Sequence, residues 1–156
     1  MPLDYLPIFS RRATPNPPRE LKTVSHPAWH PLARSLRATR VALITSAALR
    51  ESRQPAFPPS GDTSYRRVSS DPAVTDLRLD HRSRVGTDAR RDPEIVFPRN
   101  ALMALANRGL VGSVAPFHLS FVGGIRYYRE LQEELVPALA RELAEAGVDL
   151  AVLVPY

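Results

Sequence analysis

The stretch GVDLAVLVPY, residues 147–156, decides how this chain is to be read. Between a glycine and a proline, Val148 to Val154 carries one aspartate and otherwise only apolar side chains, the composition of a strand covered on both faces. Strands of that kind belong to parallel sheets, which need helices on both faces. RVALITSAAL, residues 40–49, is a second apolar run, rich in β-branched residues and ending in a polar Thr45-Ser46 edge. VGSVAPFHLSF, residues 111–121, reads as a third strand, leading into Gly123-Gly124. RNALMALANRGL supplies a short helix with Ala101, Leu102, Leu105 and Ala106 on one face, Asn100 as N-cap and Gly109 as the stop. Residues 126–146 supply a longer one, with Leu131, Leu135, Leu139 and Leu143 aligned, a kink expected at Pro137 and an end at Gly147.

Strand, helix, strand, helix, strand is the order of an α/β unit: a mainly parallel sheet with flanking helices, Rossmann-like and three-layered, joined by right-handed crossovers. In such sheets ligands bind beyond the carboxyl ends of the strands. Those ends are Thr45-Ser46, the segment from His118 to Gly124, and Pro155-Tyr156. Thr45, Ser46, His118, Gly123 and Gly124 are therefore expected to converge at one sheet edge beside Tyr156. An active-site loop of such a fold would start where this stretch stops, so the C-terminal part of the fold is expected to be missing from these 156 residues.

Outside these elements the chain is irregular. Sixteen prolines, most of them in the first hundred residues, mark residues 1–39 as an extended arm and residues 40–156 as the single α/β domain. His26, Trp29 and His30 lie in a proline-flanked segment, where packing and capping are the expected roles, with Trp29 as anchor. Residues 50–61 read as a loop and DTSYRRVSS as a more exposed strand. Residues 70–98 read as a long polar loop, of the length that is usually functional or disordered. No run of about eighteen apolar residues and no signal segment is present, so no membrane contact and a cytoplasmic location are expected. Cysteine is absent, which removes disulfides, thiolate metal sites and a thiol nucleophile from these residues. The net charge of +5 arises from 21 basic and 16 acidic residues interleaved, and Arg11-Arg12, Arg66-Arg67 and Arg90-Arg91 are short and separate. A nucleic-acid partner would call for a basic stripe along one element, so none is expected.

Several groups are able to carry chemistry, each with a plainer alternative. Gly123-Gly124, between a strand and a helix, offers backbone N–H groups to a carboxylate or phosphate, or is simply a tight turn. His118, late in a strand, suits an acid–base or orienting role, or a hydrogen-bonded structural one. GDTSYR places Asp62, Ser64 and Arg66 within reach of a zwitterion, or orders a turn. His81, Asp88 and Asp92 fall short of a usual ligand set, so no metal is expected.

Taken in order, HPAWHPL, RVALITSAAL, GDTSYRRV, DLRLDH, TDARRDPEIVFP, GLVGSVAPFHLSFVGG and GVDLAVLVP, spread over residues 26–156, resemble the selenoprotein B family of glycine, sarcosine and betaine reductases, and most closely its D-proline reductase type. The resemblance implies reductive cleavage of a carbon–nitrogen bond in an amino acid or related compound. It also implies a selenolate or thiolate nucleophile directly after Tyr156, ionised because the anion is the reactive form. No cofactor is implied in this chain, but a pyruvoyl group is implied on a partner subunit, together with other reductase subunits and a dithiol or thioredoxin-type reductant. His118 is the catalytic candidate, with Thr45, Ser46, Asp62, Ser64, Arg66, His81, Gly123 and Gly124 as substrate-binding candidates. The family pattern has glycine and then histidine at the exit of the first strand, where this chain has Ala48 and Arg50. It also has a histidine and an aromatic-Asp pair after the residue matching His81, where this chain has Ser83, Arg84 and Val85. The expectation drawn from all this is a reductase subunit ending at a selenocysteine codon; the alternative is a short non-catalytic paralogue that binds a reductase subunit.

Overall fold

A computed structural model of the chain describes residues 30–59, 62–81, 86–124 and 128–156. The readings of His26 and Trp29, and of Ser83, Arg84 and Val85, lie outside the described residues. The unit described below runs from Leu32 to Tyr156.

Strand β1 (Arg40–Thr45) lies inside the sheet, and its burial follows from its sequence: Val41, Ala42 and Leu43 are at most 2% exposed because both faces are covered. Val41 and Leu43 face one core with Leu49, Val68, Phe97 and Leu102, and Ile44 faces the other with Leu119, Leu135 and Leu139. The strand β2 (Leu49–Glu51) turns back from β1 and pairs with β4 (Leu77–Leu79) as a separate antiparallel ribbon over the first core. Between them comes β3 (Tyr65–Ser69). After β4 come α1 (Gly86–Arg91), a 3-10 turn Pro93–Ile95, and α2 (Arg99–Asn107), whose Leu102 packs on the first core. Next are β5 (Ser113–Val114) and β6 (Phe117–Phe121). A helix then starts as α3 (Tyr128–Glu130), passes through a π turn Leu131–Leu135 and continues as α4 (Val136–Glu145) before β7 (Leu150–Val154).

Parallel pairing joins β1 to β5 and β6 along one side and to β7 along the other, in the register Val41↔Leu150 to Thr45↔Val154. β3 pairs antiparallel with the far side of β6. The crossover from β1 to β6 uses α2 on one face. The crossover from β6 to β7 passes back over β1 using α4 on the opposite face, which gives both the same hand. The strand order along the sheet is therefore β3, β6, β1, β7, a mainly parallel α/β sheet with layers on both faces, and the direction of winding reverses between β1 and β7.

Three local readings are corrected. The segment 111–121 is two strands, because Ala115-Pro116 bulges: residues 115–118 stand opposite only Ala42 and Leu43. Asn100 is inside α2, and its amide, like that of Ala101, is received by the Glu94 carboxylate, so the cap is supplied from outside the helix. Pro137, where a kink is expected, follows a π turn closed by Val136 N–H to Leu131 O, and the widened turn accommodates a residue with no amide hydrogen. The stretch 70–98 is not one loop, since it holds β4, α1 and the 3-10 turn. Gly109 and Gly147 do end their helices, at φ of +66° and +64°.

β7 is an edge strand with Val152 40% and Leu153 70% exposed, and among the described residues nothing pairs with its outer side. Unpaired apolar edges template association. The purified chain is expected to show a concentration-dependent rise in apparent mass by analytical ultracentrifugation, and Leu153→Lys is expected to suppress it; a wild-type chain monomeric at every concentration would contradict this.

Candidate functional site

The parallel strands deliver their carboxyl ends to one edge, and the bonds there are specific. Thr45 Oγ1 accepts from Ala47 N (3.2 Å), which turns the chain out of β1. Ser46 then ties three strands together: its N–H donates to Val154 O (3.3 Å), its Oγ accepts from Tyr156 N (2.8 Å), and its carbonyl accepts from Gly123 N (2.9 Å). That closeness favours glycine at 123, because a Cβ there would stand 3.0 Å from the Ser46 Cβ. Its N–H is spent on Ser46 and so is not offered to an anion; Gly124 is exposed with open space about it.

The return path brings a further group to the same edge. Ala48 takes φ of +53°, a left-handed conformation unusual for a residue with a Cβ, and donates to Phe121 O (2.9 Å). Its carbonyl accepts from Asp80 N (3.1 Å), and the next residue, His81, meets the Tyr156 ring edge-on at 5.0 Å. His81 titrates below the ordinary histidine value, chiefly through burial and secondarily through the Arg90 guanidinium, which donates to the His81 carbonyl (2.7 Å). Ser46, Gly123, His81 and Tyr156 thus meet at the reversal of winding between β1 and β7, the position where open α/β sheets place ligands. Sequence reasoning gave no role to the Arg50–Asp80 ion pair (2.7 Å, side chains 14% and 19% exposed) that steadies the ribbon before His81. Its signal was the acidic residue beside His81 in DLRLDH, together with the arginine standing at the first-strand exit.

Other candidates make their bonds within the loops that flank β3 and α2. Asp62 Oδ1 accepts from Ser64 N (3.0 Å) and Ser64 Oγ (2.6 Å), forming a turn at the start of β3. Because β3 runs antiparallel to β6, that turn lies toward the exit edge, with Tyr65 paired to Phe121. Arg66 donates to Pro55 O and Ala56 O and lies over the Phe57 ring at 4.4 Å, so it fastens the loop before β3. Asp92 caps the 3-10 turn through Glu94 N, and among the described residues no three or more His, Cys, Asp or Glu side chains gather as a metal site.

His118 is inside the sheet, fully buried, one register position below the Leu119–Ile44 pair and on the face toward Phe97. Its Nδ1 accepts the Leu43 N–H (3.1 Å), which the bulge at Pro116 removes from the backbone ladder. That bond assigns the neutral-ring proton to Nε2, which has no partner among the described residues. Burial first, and then the Arg99 charge, push its pKa down to about 4. Arg99 is itself buried, its guanidinium received by the carbonyls of Ser69, Asp71 and Val74.

The chain is 32% identical over 127 residues, 81% of its length, to D-proline reductase subunit gamma of Acetoanaerobium sticklandii. The match covers 52% of that subunit, so the chain spans about half the length of the relative. No family model and no solved structure matches the chain. No helix among the described residues is long and apolar enough to cross a membrane.

The burial of neutral His118 has a pH consequence. Folding favours its neutral form, so the stabilising contribution is complete above the unfolded value near 6.5 and is lost as pH falls from there to about 4, below which it changes no further. The loss amounts to about 3 kcal/mol. Urea unfolding between these pH values should show that decline, and His118→Gln, whose side-chain carbonyl can still accept from Leu43, should flatten it; equal slopes in both proteins would contradict the assignment.

Proposed function

We propose that this chain forms the substrate-facing part of a reductase-complex subunit that cleaves the carbon–nitrogen bond of an amino acid or related compound. The observation that carries the reading is the meeting of Ser46, Gly123, His81 and Tyr156 at the β1/β7 reversal, in a chain similar to a D-proline reductase subunit. A segment following Tyr156 would leave the sheet at this edge, between the exits of β1 and β6. A selenolate or thiolate carried there attacks the carbon that bears nitrogen; a carbon–chalcogen bond forms, the carbon–nitrogen bond breaks, and the amine leaves with a proton. One thiol of a dithiol then attacks the chalcogen, the carbon–chalcogen bond breaks and the carbon takes a proton; the second thiol closes the disulfide and releases the selenolate or thiolate. The pyruvoyl group that the resemblance puts on a partner subunit would supply activation of the amine.

The chain's own residues have narrower tasks. Ser46 fixes the Tyr156 amide and so sets the direction in which a following residue departs. His81, kept largely neutral by burial and Arg90, presents an uncharged imidazole beside Tyr156. None of the 156 residues is a cysteine, so these groups position and do not themselves attack.

The gene beyond codon 156 tests the nucleophile. An in-frame UGA, a cysteine codon within a few positions and at least about thirty further codons, the length of one βαβ unit, are expected. UAA or UAG at that position would overturn the selenocysteine assignment and favour a non-catalytic partner of a reductase subunit.

A further inference from the structure

Beside the exit edge lies a crevice of about 250 Å3 between the β2–β4 ribbon and α1. Its walls are apolar: Leu49, Leu77 and Leu79 from the ribbon, Ala89 from α1 and Pro93 after it. Three charged residues also border it. Arg78 is paired with Asp76 (2.9 Å), and Asp80 accepts from Arg50 (2.7 Å) and from the Phe57 amide (2.8 Å). Arg90 is different: its guanidinium donates to the His81 carbonyl, and among the described residues no carboxylate pairs with it. An arginine in this state holds a full charge and several N–H donors toward whatever enters beside it.

We propose that this crevice binds a compact carboxylate with an apolar body, the carboxylate on Arg90 and the body against Leu77, Leu79, Ala89 and Pro93. The volume is just below the range of ordinary ligand pockets, which restricts the occupant to a few heavy atoms. With Arg78 already paired to Asp76 and Asp80 to Arg50, Arg90 is left to meet a ligand, which suits a monoanion with a hydrocarbon part; a phosphate dianion would call for more free donors. The site communicates with the exit edge through a single residue, because Arg90 holds the carbonyl of His81 and the His81 ring stands on Tyr156. The proposal rests on the reductase reading only for the identity of the ligand in the cell, where an amino-acid substrate would be held by its carboxylate one residue from Tyr156.

Cyclopentanecarboxylate and cyclopentylmethanol, alike in body and different in charge, are the probes. Titration of the chain with the carboxylate, followed by amide chemical shifts, is expected to give saturable changes confined to residues 49, 77–80 and 89–93, with a dissociation constant on the order of 1 mM. The alcohol should bind at least about tenfold more weakly, in keeping with a lost charge-assisted bond. Arg90→Gln should weaken carboxylate binding by the same factor and leave the alcohol unaffected, whereas Arg91→Gln, on the same helix but outside the crevice, should change neither. Absence of saturation, equal binding of the two probes, or full affinity in Arg90→Gln would overturn the site. A stop codon other than UGA after codon 156 would remove the selenocysteine assignment without altering these shifts, so the two ideas fail separately.

Discussion

The register of β7 against β1 is the constraint on which the rest of this structure depends. Five consecutive residue pairs, Val41↔Leu150 to Thr45↔Val154, fix the two strands at the same height. Burial drives the arrangement: each fully buried valine or leucine contributes about 1.5–3 kcal/mol relative to exposure, and Val41, Leu43 and Leu119 are all within 2% of complete burial. A slip of one residue would exchange the two cores, moving Leu150 and Val154 from the first core to the second and Ala151 the other way. Because β6 is registered on the other side of β1, with Thr45 opposite Ser120, Gly123 also arrives at the height of Ser46.

From that register the chemistry of the edge follows. Ser46 uses its amide and hydroxyl on the end of β7 and its carbonyl on Gly123 after β6, so it can serve as the hub only if all three strands end together. The ribbon then carries His81 to Tyr156, steadied by the partly buried Arg50–Asp80 pair. The interior has its own cost: the Pro116 bulge takes a backbone acceptor from Leu43, and His118 replaces it at the expense of burying an imidazole. Histidine at that place therefore supports the sheet from within, while the other imidazole, His81, stands at the exit edge.

The parallel architecture was legible because apolar runs at 40–49 and 147–154 and a leucine stripe at 131, 135, 139 and 143 are long-period signals that few alternatives satisfy. The convergence of Ser46, Gly123 and Tyr156 was legible for a topological reason, since each follows a parallel strand. What escaped was local. Nothing in VGSVAPFHLSF except Pro116 announces a bulge, and the bulge moves His118 from the edge to the interior. The cap of α2 comes from Glu94, six residues before the amide it receives, and capping rules look only at adjacent positions. The bonds of Arg66 also escaped, because its partners, Pro55 O and Ala56 O, are backbone atoms that carry no sequence signature.

Amide hydrogen exchange at Tyr156 tests the central claim, that β7 is locked to β1 through Tyr156, two residues beyond its end, most directly. The Tyr156 N–H is held by the Ser46 hydroxyl, so it should exchange slowly in the native chain, with protection near that of Leu43, and Ser46→Ala should raise its exchange rate while Leu43 keeps its own. A Tyr156 amide that exchanges at the rate of an unstructured terminus, or one indifferent to Ser46→Ala, would contradict the account.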